Sequence, residues 1–457
     1  MNSRLNNWLK KTRIFEKKIK NFSNLVRYGY LTSYVGSILE IQGIFFPIGT
    51  QCMVEVKNCY KEVIYVSAEI VGFKKNKMFA TLLKESSGLF YGARVYPKCT
   101  TNVYHLSGKF LPVGFNLLGR IIDCFGNPLD GKNKPTTECL VDINQFNIIN
   151  PLKRSPINSI LDTGIRAINA LLTIGKGQRM GLFAGSGVGK SVLLGMMSKF
   201  TNSDIIIVGL IGERSREVQE FVYDILNSIG IHRVIVIVAP ASTSSILRIQ
   251  AALYAIRTAE YFRDNGKDVL LIIDSLTRFA MAHREIALSL GEIPSSKGYP
   301  PSVLSKILFF IERCGTGRKE KKGSISAFYT ILTEEDGITD PVADTARSIL
   351  DGHIILSRNY AESGHYPAID IEKSISRTMS MLVDKDYFNK VCYIKQLISS
   401  YHRNKDLINI GAYMQGNDKI LDQAIKLWPL LSKFLQQTMF EHFSYEYSCQ
   451  SLLKIIV

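Results

Sequence analysis

The chain has 457 residues, enough for two or three domains with cores of their own, and its 46% apolar and 21% charged content is that of a folded globular protein. No apolar run reaches the ~20 residues a membrane-spanning helix needs, the N-terminus lacks a signal-peptide apolar core, and eight cysteines without a CxxC pair and seven histidines without HExxH argue against a zinc centre or a disulfide framework and for a reducing cytoplasm. The formal charge of +16 leaves open either attraction to an anionic partner or the drift of a Lys-, Asn- and Ile-rich composition.

Residues 1–28 form a basic extension, with eight Lys/Arg against the single acid Glu16 over the first thirty positions. Leu5, Trp8, Leu9, Thr12, Phe15, Ile19 and Phe22 recur at spacings of three and four. That is one face of an amphipathic helix, suited to docking on a core, a membrane surface or a partner. From 29 to 98 the pattern changes to short β-rich runs (VGSILEI, CMVEV, VIYVSAEIVGF, KMFATLL) separated by turn residues, which predicts a small β-barrel. Residues 110–131 read as a connecting segment with turns at Gly126-Asn127-Pro128 and Asp130-Gly131.

From about 150 to 375 apolar runs alternate with amphipathic helices: 179–184, 204–212, 233–239, 268–274, 324–332 and 353–357 as strands, with helices over 191–200, 215–228 and 244–263. Near-continuous apolar strands separated by helices predict a buried, mostly parallel sheet in an α/β domain, here taken as 99–378. Residues 379–457 contain no such strand run and read as a helical domain, with helices in YFNKVCYIKQLISSYH and ILDQAIKLWPLLSKFLQQTMF.

Within the α/β region, AGSGVGKS (184–191) follows a strand and opens a helix. The phosphate-loop pattern is Gly, four residues, then Gly-Lys-Ser/Thr, and here Ala184 takes the first position. Backbone N–H groups of Gly185, Ser186, Gly187, Val188, Gly189, Lys190, Ser191 and Val192 have the placement to surround a phosphate, aided by the positive helix end. Lys190 would reach the β- and γ-phosphates and Ser191 would ligate Mg²⁺. Asp274 ends the apolar strand of VLLIIDSLTRFA, where a carboxylate stands within reach of the metal's water. Glu213, in GLIGERSREV, falls just past another strand, at the edge where α/β sheets bind ligands. It suits either a water-polarising carboxylate or an acid at a helix start, and Arg214 or Arg216 would balance phosphate charge.

These residues together carry a resemblance. DTGIRAINALLTIGKGQRMGLFAGSGVGKS, GLIGERSREV, LLIIDSLTRFAMAHREIALSLGE, GYPPSV, AFYTILTEEDG, ILDGHIILSR, YPAIDIEKSISR and LINIGAYMQG closely resemble the flagellum-specific ATPases of bacterial flagellar protein export, relatives of rotary ATP synthases and injectisome ATPases. Alanine at the first loop position is itself a trait of that family. The resemblance implies a RecA/F1-like P-loop domain between a β-barrel and C-terminal helices, and ATP hydrolysis with Mg²⁺ by a homohexamer coupled to type III export. It implies Lys190 and Ser191 on phosphate and metal, Glu213 polarising water, Asp274 in the metal shell, Arg377 as a finger reaching a neighbour's γ-phosphate, and Tyr366 stacking on adenine. Its implied partners are an export regulator at the N-terminal extension, a coiled-coil stalk in the central channel lined by GEIPSSKGYPPS (291–302), and a membrane export gate, placing the protein in the cytoplasm at the inner membrane face. The basic run RCGTGRKEKKG (313–323) reads as a solvated loop. A ring-shaped RNA translocase would also explain the charge, but residues 29–98 lack an aromatic nucleic-acid motif, so no specific nucleic acid is expected. A non-catalytic or ATP-synthesising ring subunit is the remaining alternative; Glu213 argues against the first, and the C-terminal helices lack the acidic run expected of the second.

Overall fold

A computed structural model describes residues 8, 11, 12, 16, 27–60, 62–98, 109–136, 138–145, 149–226, 231–333 and 340–456. The helical stripe expected over residues 5–22 lies almost wholly outside them. The chain falls into two compact units, residues 1–109 with 289–291, and residues 110–288 with 292–457.

The first unit is built on six strands: β1 (Gly29–Val35), β2 (Ile38–Gln42), β3 (Gln51–Lys57), β4 (Val63–Lys74), β5 (Lys77–Leu82) and β6 (Arg94–Pro97). They close into a barrel in the order β1-β2-β5-β4-β3-β6, with β6 returning to β1 through Gly29–Val95. Strand alternation dictates the interior: β3 buries Cys52, Val54 and Val56 while Met53 and Glu55 face outward. Leu31, Leu39, Ile41, Ile70, Met78 and Val95 complete that core.

The second unit begins with β7 (Phe110–Val113) and β9 (Cys139–Asp142), paired as a ribbon, around β8 (Arg120–Asp123). A short pair, β10 (Ile160–Leu161) and β11 (Ile174–Gly175), leads into β12 (Arg179–Ala184). There follow β13 (Ile205–Ile211), β14 (Val234–Ala239), β15 (Asp268–Asp274), β16 (Gly315–Thr316), β17 (Ser324–Leu332), β18 (Gly352–Leu356) and β19 (Ile369–Ser376). The sheet runs β19-β18-β12-β17-β15-β13-β14-β8, with β16 beside β17. It is parallel except for β19 and β16. Every residue of β13 is buried, as a strand covered on both faces by helices must be. The connecting segment around residue 120 therefore contains an unexpected edge strand, β8, and the YPAIDIEKSIS run is the antiparallel edge strand β19.

The register fixes where chemistry gathers. Ala184 pairs with Leu332 and Leu210 with Asp274, so β12, β13, β15 and β17 all end on one edge of the sheet. The C-terminal helices Lys385–Asn409, Lys419–Leu435 and Tyr445–Ile456 belong to the same unit as the sheet. Ile394, Ile398, Leu431 and Leu452 share one core with Ile168, Leu171 and the sheet.

Candidate nucleotide-binding site

At the end of β12 the chain turns through Gly185–Gly189 into the helix Lys190–Phe200. Gly187 and Gly189 sit at φ +79° and +88°, left-handed conformations that glycine adopts without strain. Ala184, by contrast, is the last residue of a regular strand, almost fully buried, and its carbonyl accepts the Thr333 N–H at 3.2 Å. An L-residue is at ease there, and a methyl group fills buried space; the missing glycine costs the loop nothing. Val188 is buried, whereas Ser186, Gly187 and Val192 are exposed beside the half-buried Lys190 and Ser191.

Three strand ends then converge. The Lys190 ammonium lies 2.6 Å from Oδ1 of Asp274 and 3.5 Å from Oε1 of Glu213. Both carboxylates are buried, at 4% and 6% exposure. Thr330 of β17 donates its hydroxyl to the same Asp274 oxygen at 2.6 Å. Lys190 is held charged: burial lowers its pKa, but Asp274 and Glu213 outweigh burial and raise it. Burial and the charge of Asp274 push Glu213 up to about 7 against the pull of Lys190, with Glu217 adding to the rise. Oε1 of Glu213 is buried without a hydrogen-bond partner among the described residues. Such an oxygen is poised to accept from an incoming donor, such as a water molecule.

Arg214 does not join this cluster. Its side chain is 79% exposed and reaches only Glu217, at 3.8 Å. Arg216 turns away to Glu220. Tyr366 does come to the loop: a Cβ built on Gly189 would stand 3.4 Å from Cε1 of its ring, which is 46% exposed. Arg377 lies elsewhere. Ser376 pairs with Gly352, and Gly352 with Met180, four residues before Ala184. At ~3.3 Å per residue that is about 13 Å back along the strand. Arg377 is exposed there, with Nη2 donating to the Arg347 carbonyl at 3.3 Å.

Reading the sequence alone misses Thr330, which sits mid-strand in SISAFYTIL and gains significance only through the β15–β17 register. It also misses Arg278. Its side chain lies beside Gly212, and its buried Nε has no hydrogen-bond partner among the described residues. The signal for Arg278 was its place four residues after Asp274, one helical turn along the same edge.

Residues 164–376 match the nucleotide-binding domain of the ATP synthase alpha/beta family, and residues 383–454 match the C-terminal domain of the type III secretion ATPase EscN. The flagellum-specific ATP synthase of Salmonella typhimurium is 53% identical over 99% of this chain and 98% of its own length. The chain belongs to the flagellum-specific ATP synthase family. The Bacillus subtilis member is more distant, at 42% identity over 90% of this chain and 91% of its own. Among solved structures, the assembled EscN ATPase of the enteropathogenic E. coli type III secretion system superposes with a TM-score of 0.86 at 37% identity, covering 94% of this chain and all of that one. EscN has also been solved in complex with its central stalk EscO, and the ATPase chain of that complex matches with a TM-score of 0.81. The fold is thus F1-like, and the protein is an ATPase of the flagellar and type III secretion class. No helix among the described residues is long and apolar enough to cross a membrane.

Proposed function

We propose that this chain hydrolyses ATP as a homohexameric ring, at sites shared between neighbouring subunits, and that hydrolysis drives export of flagellar proteins through a type III apparatus. The observation that carries the shared site is a separation within one chain. Lys190, Asp274 and Glu213 meet at one edge of the sheet, while Arg377 is exposed about 13 Å back along it, which supports a role toward a neighbouring molecule.

In this reading the backbone of residues 184–192 cradles the phosphates, and Lys190 exchanges its carboxylate partners for the β- and γ-phosphate oxygens. Glu213, with a pKa near the working pH, orients a water for in-line attack and takes its proton through Oε1, which makes no hydrogen bond and is released by Lys190 as that ammonium turns to the phosphates. The hydroxyl of Ser191 and the carboxylate of Asp274 form an all-oxygen donor set, which fits magnesium. A magnesium ion there would neutralise charge on the β- and γ-phosphates. Arg278, beside Gly212, offers a cation on the same edge for the departing phosphate, in place of Arg214 and Arg216, which pair outward with Glu217 and Glu220. The half-exposed ring of Tyr366 supplies a stacking face for the base, and Arg377 of the adjacent subunit balances charge on the γ-phosphate.

The assembled EscN and its stalk complex support the ring and a coiled-coil partner in its channel, with residues 291–302 at the channel wall. An export regulator on residues 1–28, a membrane gate at the ring's face and a cytoplasmic position at the inner membrane complete the reading. So does a functional division at 28, 98 and 378, with the helices beyond 378 acting as a module although they pack with the sheet. The test is Arg377→Ala. Turnover should fall by about 10³ or more, with ADP affinity within about twofold of the unaltered protein and activity no longer rising with protein concentration. Undiminished turnover would refute the shared site.

A further inference from the structure

The base wall formed by Tyr366 is held from behind, and what holds it is the end of a C-terminal helix. The helix Lys419–Leu435 stops where the guanidinium of Arg166, on the helix Arg166–Leu171, captures its free carbonyls. Nε donates to the Phe434 carbonyl at 2.6 Å, and Nη2 donates to the carbonyls of Lys433, at 3.1 Å, and Gln436. The cation also lies 4.5 Å from the centre of the Phe443 ring, so it is fixed from the side as well. Helix ends leave several carbonyls without partners, and the five N–H donors of a planar guanidinium, held in a rigid fork, here take three at once.

Directly after this capped end comes Gln437, which is 5% exposed and has both side-chain polar atoms engaged. Its Oε1 accepts the backbone N–H of Arg166 at 2.9 Å, and its Nε2 donates to the carbonyls of Gly164 and Glu441, each at 2.9 Å. Its own N–H donates to the Tyr366 carbonyl at 3.0 Å. One residue earlier, Gln436 Nε2 lies 3.2 Å from Nδ1 of His365. A fully satisfied buried amide is rigid. The guanidinium therefore fixes the backbone up to Gln436, and the Gln437 N–H hands that placement to the Tyr366 carbonyl; the backbone N–H of Arg166 on Gln437 Oε1 is a further link, which any residue at 166 other than proline keeps. The Tyr366 ring lies beside Gly189 and is about half exposed.

We propose that Arg166, acting through Gln437, is a positioning residue that sets the Tyr366 ring at the distance from the phosphate loop at which a nucleotide base stacks. The proposal rests on the reading of Tyr366 as the base-stacking residue. It divides the pocket mechanically: the phosphates are held by the sheet edge, and the base by the C-terminal helices. A shift of those helices then changes grip on the base while the phosphate cradle stays in place.

The test compares a ligand that has a base with one that has none. ADP and pyrophosphate are titrated calorimetrically, with magnesium, into the full chain and into Arg166→Ala, Tyr366→Ala and the double variant. Loss of stacking weakens binding about tenfold. Arg166→Ala should therefore bind ADP about tenfold more weakly while pyrophosphate stays within about twofold, and the double variant should bind ADP no more weakly than Tyr366→Ala alone. A merely structural role would lower the melting temperature and weaken both ligands together. Equal weakening of both ligands, no weakening of either, or an additive double variant overturns the proposal. If Tyr366→Ala itself leaves ADP binding unchanged, the stacking reading falls. If Tyr366→Ala weakens ADP but Arg166→Ala does not, only the positioning role falls. Should Arg166→Ala fail to fold, Arg166→Lys keeps the cation but not the three-carbonyl fork. It should then weaken ADP about threefold with pyrophosphate unmoved, and equal affinity for ADP would contradict the proposal.

Discussion

At Glu213 two demands oppose each other. A base working near neutrality needs a raised pKa, and burial beside Asp274 supplies one of about 7. The same burial costs stability. With its pKa raised in the folded chain, the carboxyl binds more protons folded than unfolded between pH 4.5 and about 7, so its contribution is favourable in acid and declines as pH rises through that window. Glu213→Gln should abolish turnover yet melt on the order of 2 °C higher than the unaltered protein at pH 8, with no gain at pH 5. Calorimetric scans at the two pH values measure this, and a lower melting temperature at pH 8 would contradict it. Turnover of the unaltered enzyme should rise with pH through about 7 on its acid limb. Thr330 makes a second case. Thr330→Val removes the hydroxyl that fixes Asp274 and should slow turnover about tenfold, with ADP affinity little changed; steady-state kinetics and calorimetry separate the two.

At the scale of elements, legibility followed chemistry. The five central strands are largely apolar runs because helices cover both faces, so the sequence displays them openly. Strand β8 is four residues long with arginine and aspartate at its ends, and only its pairing with β14 makes it a strand. The helix Tyr445–Ile456 was unread because YEYSCQSLLKII starts without an apolar period. The helix Lys419–Leu435 ends five residues before the apolar pattern runs out, since Arg166, far upstream in sequence, takes its carbonyls. The phosphate loop, Asp274 and Glu213 were legible because each sits at a strand end in a recognisable local pattern. Thr330, Arg278 and the Gln437 link were not, since register and long-range contact create them. Seating of the C-terminal helices is itself measurable. Leu431 is 1% exposed in the core shared with the sheet. Leu431→Ala should cost about 2–5 kcal/mol in denaturant unfolding, and a cost below about 0.5 kcal/mol would place that helix on the surface instead.

For the whole molecule, the central claim is that one chain holds an incomplete catalytic site. Lys190 with its carboxylates and Arg377 lie at opposite edges of the same sheet, one past the end of β12 and the other past the end of the antiparallel β19. An ordinary single-subunit ATPase would gather them. The most direct measurement mixes two inactive proteins, Lys190→Ala and Arg377→Ala, under conditions that allow rings to form and exchange subunits. Where an Arg377→Ala subunit offers its intact phosphate loop and Glu213 to a Lys190→Ala neighbour that still carries Arg377, a complete site is restored. ATP turnover of the mixture should then exceed the sum of the separate proteins by about tenfold or more, since each finger restores about 10³ at its site. A mixture no more active than that sum, with mixed rings demonstrated by mass, would show that each chain completes its own site and would contradict the account.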